Sequence, residues 1–495
     1  MQKRSNLKQN IQSSSRPRAA DAAALALDVD PKAAEPLHLQ LSRQLRGMIL
    51  SGRIDRGARL PSSRVLAGDL GVSRATVVLA YDQLRSEGYV EGRAGAGIFA
   101  SSSLPEQSLQ VEATRNAAKR PKPYSAPHTP EPARPFLIGN TDPALFSYKQ
   151  WSRALYRIWR DPEPALLGGI DPFGWYPLRR AIAQHLAQWR GIVCDPAQVV
   201  VTSGTADATE VIAHCAFGPG TTVCVEEPGY PTLRYALDRY GIKLVPIGVD
   251  DDGIDAAKVV ATRVARGVFV TPSRQFPLGG TLPLARRLEL LDWAAASDSI
   301  IVEDDFDSEY RYQGSPLPAL SSLDRQGRTI YVGSFSKVLL PTLRLGFIVL
   351  PERFIETVRK HLRRRGAMAS LVAQPVVGDL IASGEYATHI RRTRRIYARR
   401  MAALVDESWR LEGLLEVAPT MAGMHVVAWM STALLGRMSD RQAADRARTA
   451  GIIVAPLADF YAGKPQRSAL LLGFAGFGED ELRVGIRRLA DVLAK

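Results

Sequence analysis

The chain has 495 residues, 46% hydrophobic and 23% charged, with a formal net charge of +14. That length carries two or three domains with cores of their own, at an apolar content ordinary for a globular protein. No apolar run reaches membrane-span length, and the basic, polar N-terminus, with no apolar stretch after it, does not read as a secretory signal. The excess of Lys and Arg favours a polyanionic partner such as DNA. Three cysteines, Cys194, Cys215 and Cys224, have no metal-ligand spacing and read as buried small residues in a reducing cytoplasm.

Residues 1–35 are rich in Ser, Ala, Lys and Arg without periodicity and read as a mobile tail. Residues 36–100 are patterned. Leu37, Leu41, Leu45, Met48 and Ile49 fall at helical spacing. Pro61-Ser62-Ser63 starts a second helix, which Gly71 ends, and Ser73 opens a third with Val77, Ala80, Tyr81 and Leu84 inward. Glu91 to Ala100 reads as a short hairpin with glycines at 92, 95 and 97. This is a winged helix-turn-helix plan, and its recognition helix would point Ser73, Arg74 and Thr76 into a major groove. Arg74 can read a guanine or hold a phosphate, and Arg64 is placed one helix earlier. The plainer alternative is a helical dimerisation bundle with solvated arginines. The run from Gly57 to Phe99 resembles the DNA-binding domain of GntR-type regulators through Leu60-Pro61-Ser62-Ser63-Arg64, Leu70-Gly71-Val72-Ser73-Arg74 and Glu87-Gly88-Tyr89. The resemblance implies contacts to double-stranded DNA from Arg64, Ser73, Arg74, Thr76 and the wing glycine Gly95.

Residues 101–134 hold a serine run and six prolines (Pro105, Pro121, Pro123, Pro127, Pro130 and Pro132), a linker composition. From 135 to 495 the chain alternates short β-rich runs with helical patterns. Val199-Val200-Val201-Thr202, Val223-Cys224-Val225, Gly267-Val268-Phe269-Val270, Ser299-Ile300-Ile301-Val302 and Thr329-Ile330-Tyr331-Val332 predict an α/β domain with a mostly parallel sheet and helices on both faces. In such a sheet ligands sit beyond the carboxyl ends of the strands.

The chemistry-bearing motifs fall at those ends. Ser334-Phe335-Ser336-Lys337 followed by Arg344 sets an amine beside two hydroxyls and a guanidinium. That set suits a ligand held covalently through an aldehyde and electrostatically through a phosphate, as pyridoxal phosphate (PLP) can be. Thr202-Ser203-Gly204-Thr205-Ala206-Asp207 opens a helix whose N–H groups can cradle the phosphate. Asp304 can keep a pyridine nitrogen protonated, and Tyr230 can stack on the ring. Singly, each has a bland reading: a surface lysine, a surface salt bridge, a core tyrosine. From Pro135 onward the chain resembles fold-type I aminotransferases, and residues 36–495 resemble the MocR subfamily of GntR regulators. The markers are Phe173-Gly174-Trp175, Pro177-Leu178-Arg179, Glu227-Pro228-Gly229-Tyr230, Thr271-Pro272-Ser273, Gln275-Phe276-Pro277, Glu303-Asp304-Asp305 and the lysine motif. The resemblance implies an internal aldimine at Lys337, a pyridine partner in Asp304 and a stacking Tyr230. It also implies phosphate contacts from Ser203, Gly204, Thr205, Ser334, Ser336 and Arg344, a cofactor contact from Gln275, and a head-to-tail homodimer.

Three positions depart from the family pattern. Phe306 stands where many relatives have tyrosine. Arg274 stands where histidine is frequent and is a candidate for an effector carboxylate. Leu471 stands where active aminotransferases carry a carboxylate-clamping arginine. These departures favour a cytoplasmic, PLP-dependent transcriptional regulator that senses an amine, an amino acid or PLP, with residual aminotransferase activity at most. The alternatives are a working aminotransferase with an accessory DNA-binding domain and a DNA-binding protein with an inert cofactor fold.

Overall fold

The computed structural model describes residues 27–103, 134–168, 171–314, 318–366 and 369–495. The chain divides into two compact units, between Pro130 and Glu131. The first contains α1 (Leu37–Leu50), α2 (Ser63–Leu70), α3 (Arg74–Ser86), β1 (Val90–Arg93) and β2 (Gly97–Ala100). Leu41 and Leu45 of α1, Leu66 of α2 and Val77 and Leu84 of α3 converge in one core, each contributing about 1.5–3 kcal/mol by leaving water. The Ser62 hydroxyl caps α2 by accepting from the Val65 N–H at 3.3 Å. Gly71, at φ +64°, ends it in the left-handed conformation that glycine adopts without steric cost. The Tyr81 hydroxyl donates to the Pro61 carbonyl at 2.8 Å and fixes α3 against the start of α2. β1 and β2 pair antiparallel, Val90 opposite Ala100, and complete the winged helix-turn-helix.

The stretch 27–35 departs from the expected tail. The Asp28 N–H donates to Gln44 and the Asp30 N–H to the buried Gln40, and Leu27 and Val29 pack on the core of this unit. The glutamine side chains of α1 satisfy the backbone that folds over them. Residues 1–26 and 104–133, most of the expected tail and linker, lie outside the described residues.

The second unit is built on β3 (Val199–Thr202), β4 (Thr222–Glu227), β5 (Lys243–Asp250), β6 (Gly253–Ile254), β7 (Ala265–Val270), β8 (Ile300–Asp305), β9 (Thr329–Ser334) and β10 (Gly346–Val349). They form one sheet in the order β3-β10-β9-β8-β7-β4-β5-β6. β5, β4, β7, β8 and β9 pair in parallel. β10 runs antiparallel to both β9 and β3, so β3 points the same way as the parallel set. Both faces are covered, which is why the strands read as unbroken apolar runs. Val199, Val201, Tyr331 and Phe347 pack with Leu178, Ile182 and Leu186 of α4 (Tyr176–Arg190). On the other face Val200, Val302, Val332 and Ile348 pack with Val211 and Ile212 of α5 (Thr205–Ile212) and with Val358 and Leu362 of α6 (Glu352–Arg365).

The 23-residue helix α7 (Glu385–Glu407) precedes a separate four-stranded antiparallel sheet of β11 (Leu415–Val417), β12 (His425–Met430), β13 (Ala455–Pro456) and β14 (Ala469–Gly473). Sequence patterning did not separate this sheet from the large one, because its short strands are bounded like the others. The cysteines are free, and only Cys224 is fully buried; Cys194 and Cys215 are half-buried. Burial pushes all three thiols up to about 11.

Candidate functional site

One edge of the large sheet gathers the expected cofactor residues. Thr202, Glu227, Val270, Asp305 and Ser334 end β3, β4, β7, β8 and β9. Gly346 pairs with Thr202 on one side and Ser334 on the other, which brings Arg344 to that edge as well. Lys337 follows β9 and is half-buried. Its Nζ donates to the Gly139 carbonyl at 3.0 Å. Gly139 has φ +74°, and a Cβ there would stand 2.9 Å from Nζ, so only glycine allows this approach. Desolvation lowers the Lys337 pKa, while Asp307 and Asp304 pull it back up. A lowered ammonium pKa leaves more free amine for attack on an aldehyde.

Asp304 is the complement. Its Oδ1 is buried without a hydrogen-bond partner among the described residues. Burial pushes the carboxyl up to about 7, helped by the neighbouring Asp305, Glu226 and Asp307 and opposed by Lys337. An orphaned buried acceptor at a strand end calls for a cationic N–H, which a protonated pyridine supplies.

The phosphate end is open in the same sense. Gly204, at φ +89°, precedes α5, and no side chain caps the helix, so the Gly204 and Thr205 amides stand at a bare helix N-terminus. The Ser203 N–H is already committed: it donates to Asp207 at 2.7 Å, and Asp207 in turn pairs with Arg365 at 2.8 Å. Arg344 is exposed and sits at φ +44°, and its guanidinium has no ion pair or hydrogen bond among the described residues. A Cβ on Gly346 would meet the Gly333 carbonyl at 2.9 Å and Gly204 Cα at 3.3 Å, so glycine lets β10 enter close beside the loop. The Ser334 hydroxyl accepts from the Ser336 N–H at 3.2 Å. The residues present thus fit PLP in both its ring nitrogen and its phosphate.

Other expected residues are placed differently. The amide nitrogen of Gln275 donates to the Pro228 carbonyl at 2.9 Å and also faces Glu226 at 3.2 Å, and its oxygen accepts from the Leu278 N–H at 3.0 Å. It braces the turns after β4 and β7, with little left for a ligand. Arg274 is 3% exposed. Its Nε donates to the Ala422 carbonyl at 2.9 Å, Nη2 to the His425 carbonyl at 3.1 Å, and Nη1 faces Asp307 at 3.4 Å. The guanidinium expected for an effector carboxylate is therefore engaged by the loop leading into β12. Leu471 is fully buried in β14, opposite Val427 and Ala455, so no cation occupies that position. Tyr230 is 40% exposed and meets Phe276 edge-on at 5.7 Å. Phe276 also contacts Phe306 at 5.2 Å, Phe460 at 5.5 Å and His425 at 5.8 Å. Phe306 thus contributes a ring to an aromatic cluster in place of a phenolic hydroxyl.

Sequence reading missed the support beneath β8. Arg190, on α4, pairs with Asp305 at 2.8 Å, and the Tyr331 hydroxyl donates to the same carboxylate at 2.6 Å. Burial works against the Arg190 charge, and Asp305, Tyr331 and Glu303 more than offset it, holding the guanidinium above its ordinary value. Nothing local marks a terminal helix arginine as the partner of a strand more than a hundred positions on.

In the winged-helix unit Ser73 and Thr76 are turned inward on each other. The Ser73 hydroxyl accepts from the Thr76 N–H at 3.1 Å and lies 2.8 Å from the Thr76 hydroxyl. Their first task is capping α3, worth about 0.5–2 kcal/mol. Arg64 and Arg74 are exposed, and Arg74 Nε donates to the Ser63 hydroxyl at 3.3 Å. Gly95 turns the hairpin at φ +70°. Arg59, which bridges Phe99 and lies against Gly97, is a further exposed cation on the wing. Among the described residues no helix is long and apolar enough to cross a membrane.

Residues 163–489 match the family model of aminotransferase class I and II, and residues 37–100 match that of bacterial regulatory proteins, gntR family. The probable rhizopine catabolism regulatory protein MocR of Rhizobium meliloti is 37% identical over 478 residues, which cover 94% of this chain and 95% of that protein. The chain belongs to the MocR-type GntR regulators. The HTH-type pyridoxine biosynthesis transcriptional regulator PdxR of Corynebacterium glutamicum is similar to this MocR-type chain at 31% identity, over 95% of the chain and 99% of PdxR. Among solved structures, LysN, the alpha-aminoadipate aminotransferase of Thermus thermophilus complexed with N-(5'-phosphopyridoxyl)-L-leucine, superposes with a TM-score of 0.65 at 27% identity. The match covers 72% of the MocR-type chain and 91% of LysN.

Proposed function

We propose that this chain is a PLP-dependent DNA-binding transcriptional regulator whose aminotransferase-like unit senses an amine, an amino acid or PLP at Lys337. The observation that carries the reading is the orphaned, buried Asp304 carboxylate beside an amine of lowered pKa, in a chain that also carries a winged helix-turn-helix. When bound, PLP supplies an aldehyde that a lysine amine can hold and that an incoming amine can claim. Lys337 is the residue that holds it. Asp304 keeps the ring nitrogen protonated, Tyr230 covers a ring face, and the Gly204 and Thr205 amides, Ser334, Ser336 and Arg344 take the phosphate. The phosphopyridoxyl ligand of LysN and the pyridoxine regulation named for PdxR support this choice of cofactor. The occupied Arg274 and the buried Leu471 leave sensing better supported than turnover of ordinary amino acids. A cytoplasmic homodimer, head-to-tail, is the assembly we infer.

An effector that prefers one arrangement shifts DNA affinity by its differential binding; couplings of about 1–3 kcal/mol correspond to roughly 5- to 150-fold. The test is a visible-spectrum titration of the purified protein with amines, amino acids and PLP, followed by operator footprinting with and without each hit. A spectral hit that alters the footprint is expected. Rapid keto-acid turnover with no sequence-specific footprint would instead establish the aminotransferase reading. Within the winged-helix unit, Arg74→Ala is expected to weaken operator binding by about 1–3 kcal/mol if the guanidinium reads a base; unchanged affinity at fixed salt removes Arg74 from the contacts.

A further inference from the structure

The helix α7 carries six arginines (391, 392, 394, 395, 399 and 400) and no acidic residue between Glu385 and Asp406. Two of the six are partly or wholly internal. Arg400 is buried and pairs with Asp142 at 2.6 Å, and Arg394 is half-buried. The other four are exposed. Arg391, Arg395 and Arg399 stand at i, i+4 and i+8, so they form one stripe on the outer face. Arg399 reaches Glu479 at 3.3 Å, with its side chain still 69% exposed. Arg391 and Arg395 have no carboxylate partner among the described residues. Like charges four apart on a helix destabilise it, whereas a solvated face ordinarily alternates sign. The stripe is about 12 Å long at 1.5 Å per residue, roughly three to four phosphates of one DNA strand measured along the duplex axis.

We propose that this arginine stripe is a second, sequence-independent contact for double-stranded DNA, made by the aminotransferase-like unit to DNA flanking the operator. The inference rests on the regulator reading of the winged-helix unit, which supplies the DNA. Charge complementarity selects the partner: planar, permanently charged guanidiniums suit phosphate oxygens, and no base-reading element accompanies them. The stripe holds the flanking duplex against this unit and makes affinity depend on fragment length.

The experiment uses the full-length protein with PLP bound and two duplexes. One spans only the winged-helix footprint, and the other extends it by roughly two helical turns on each side. Wild type is expected to show a steeper salt dependence on the long duplex. The variant Arg391→Gln/Arg395→Gln/Arg399→Gln keeps good helix formers and is expected to show the short-duplex slope on both. At ~0.9 slope units per phosphate released, wild type loses about twentyfold more long-duplex affinity than the variant between 50 and 150 mM salt. An unchanged melting transition and visible spectrum establish that the variant is folded. Equal wild-type slopes on the two duplexes overturn the proposal, as does an equal loss by the variant on both. Retained short-duplex binding leaves the regulator reading standing in either case, whereas its absence in wild type removes that reading itself. A stripe that serves an acidic protein instead leaves every DNA slope unchanged, which also overturns the proposal.

Discussion

Lys337→Ala is expected to abolish the visible absorbance of lysine-held PLP while leaving basal operator binding nearly intact. The reason is chemical and local. No other described amine is tied to this edge of the sheet as Lys337 is through the Gly139 carbonyl, and removing it leaves PLP only its phosphate and ring contacts. The winged-helix unit keeps its own core and caps, so its fold does not depend on the lysine. Absorbance spectroscopy and a mobility shift on the same preparation check both halves. In wild type, capture of added PLP is expected to quicken as pH rises, because the free amine reacts. The midpoint should lie below the ordinary lysine value of about 10.4, since desolvation lowers this pKa. Persistence of the band in Lys337→Ala, or loss of operator binding with the band, contradicts the assignment.

Arg190→Ala is expected to destabilise the aminotransferase-like unit by about 3–5 kcal/mol, since it leaves a buried carboxylate uncompensated. Arg190 and Asp305 are 7% and 2% exposed in their side chains, and the Tyr331 hydroxyl donates to the same oxygen. Asp305 directly follows Asp304, so the loss falls on the strand end that presents the orphaned carboxylate. Denaturant unfolding should show this unit's transition moved and the winged-helix transition unmoved. The double variant Arg190→Met/Asp305→Leu is expected to recover much of the loss, because an apolar pair needs no charge balance. A single-variant effect within about 1 kcal/mol of wild type would show that water screens the pair.

Local information reached far into this molecule. The serine cap of α2 and the Gly71 stop were legible because capping and left-handed glycine act within four residues; the same short range makes Ser73 the cap of α3, although the sequence pattern pointed it to a DNA groove. The meeting of Ser203, Tyr230, Asp304, Ser334 and Lys337 on one edge was legible too, because each follows a strand and parallel strands end together. Arg274 was not. Its spacing from Pro272 and Gln275 said nothing of Ala422 and His425, far along the chain, whose carbonyls occupy its donors. Asp207 was visible in its loop, but not that its carboxylate takes the Ser203 amide and needs Arg365 to balance it.

The sequence by itself determined the two-part plan, the sheet type, the strand-end position of the lysine motif, and the helix-turn-helix with the serine cap of α2. Those features depend on periodicity, turn chemistry and short spacings, which the chain carries locally. Only the tertiary structure decided which polar groups remain free. It spent Arg274 and Gln275 on backbone carbonyls, left Asp304 Oδ1 and the Arg344 guanidinium without a hydrogen-bond partner among the described residues, and set Arg391, Arg395 and Arg399 outward. A buried donor or acceptor is satisfied by whatever packing brings within about 3 Å, and that partner is chosen by the fold at any distance along the chain.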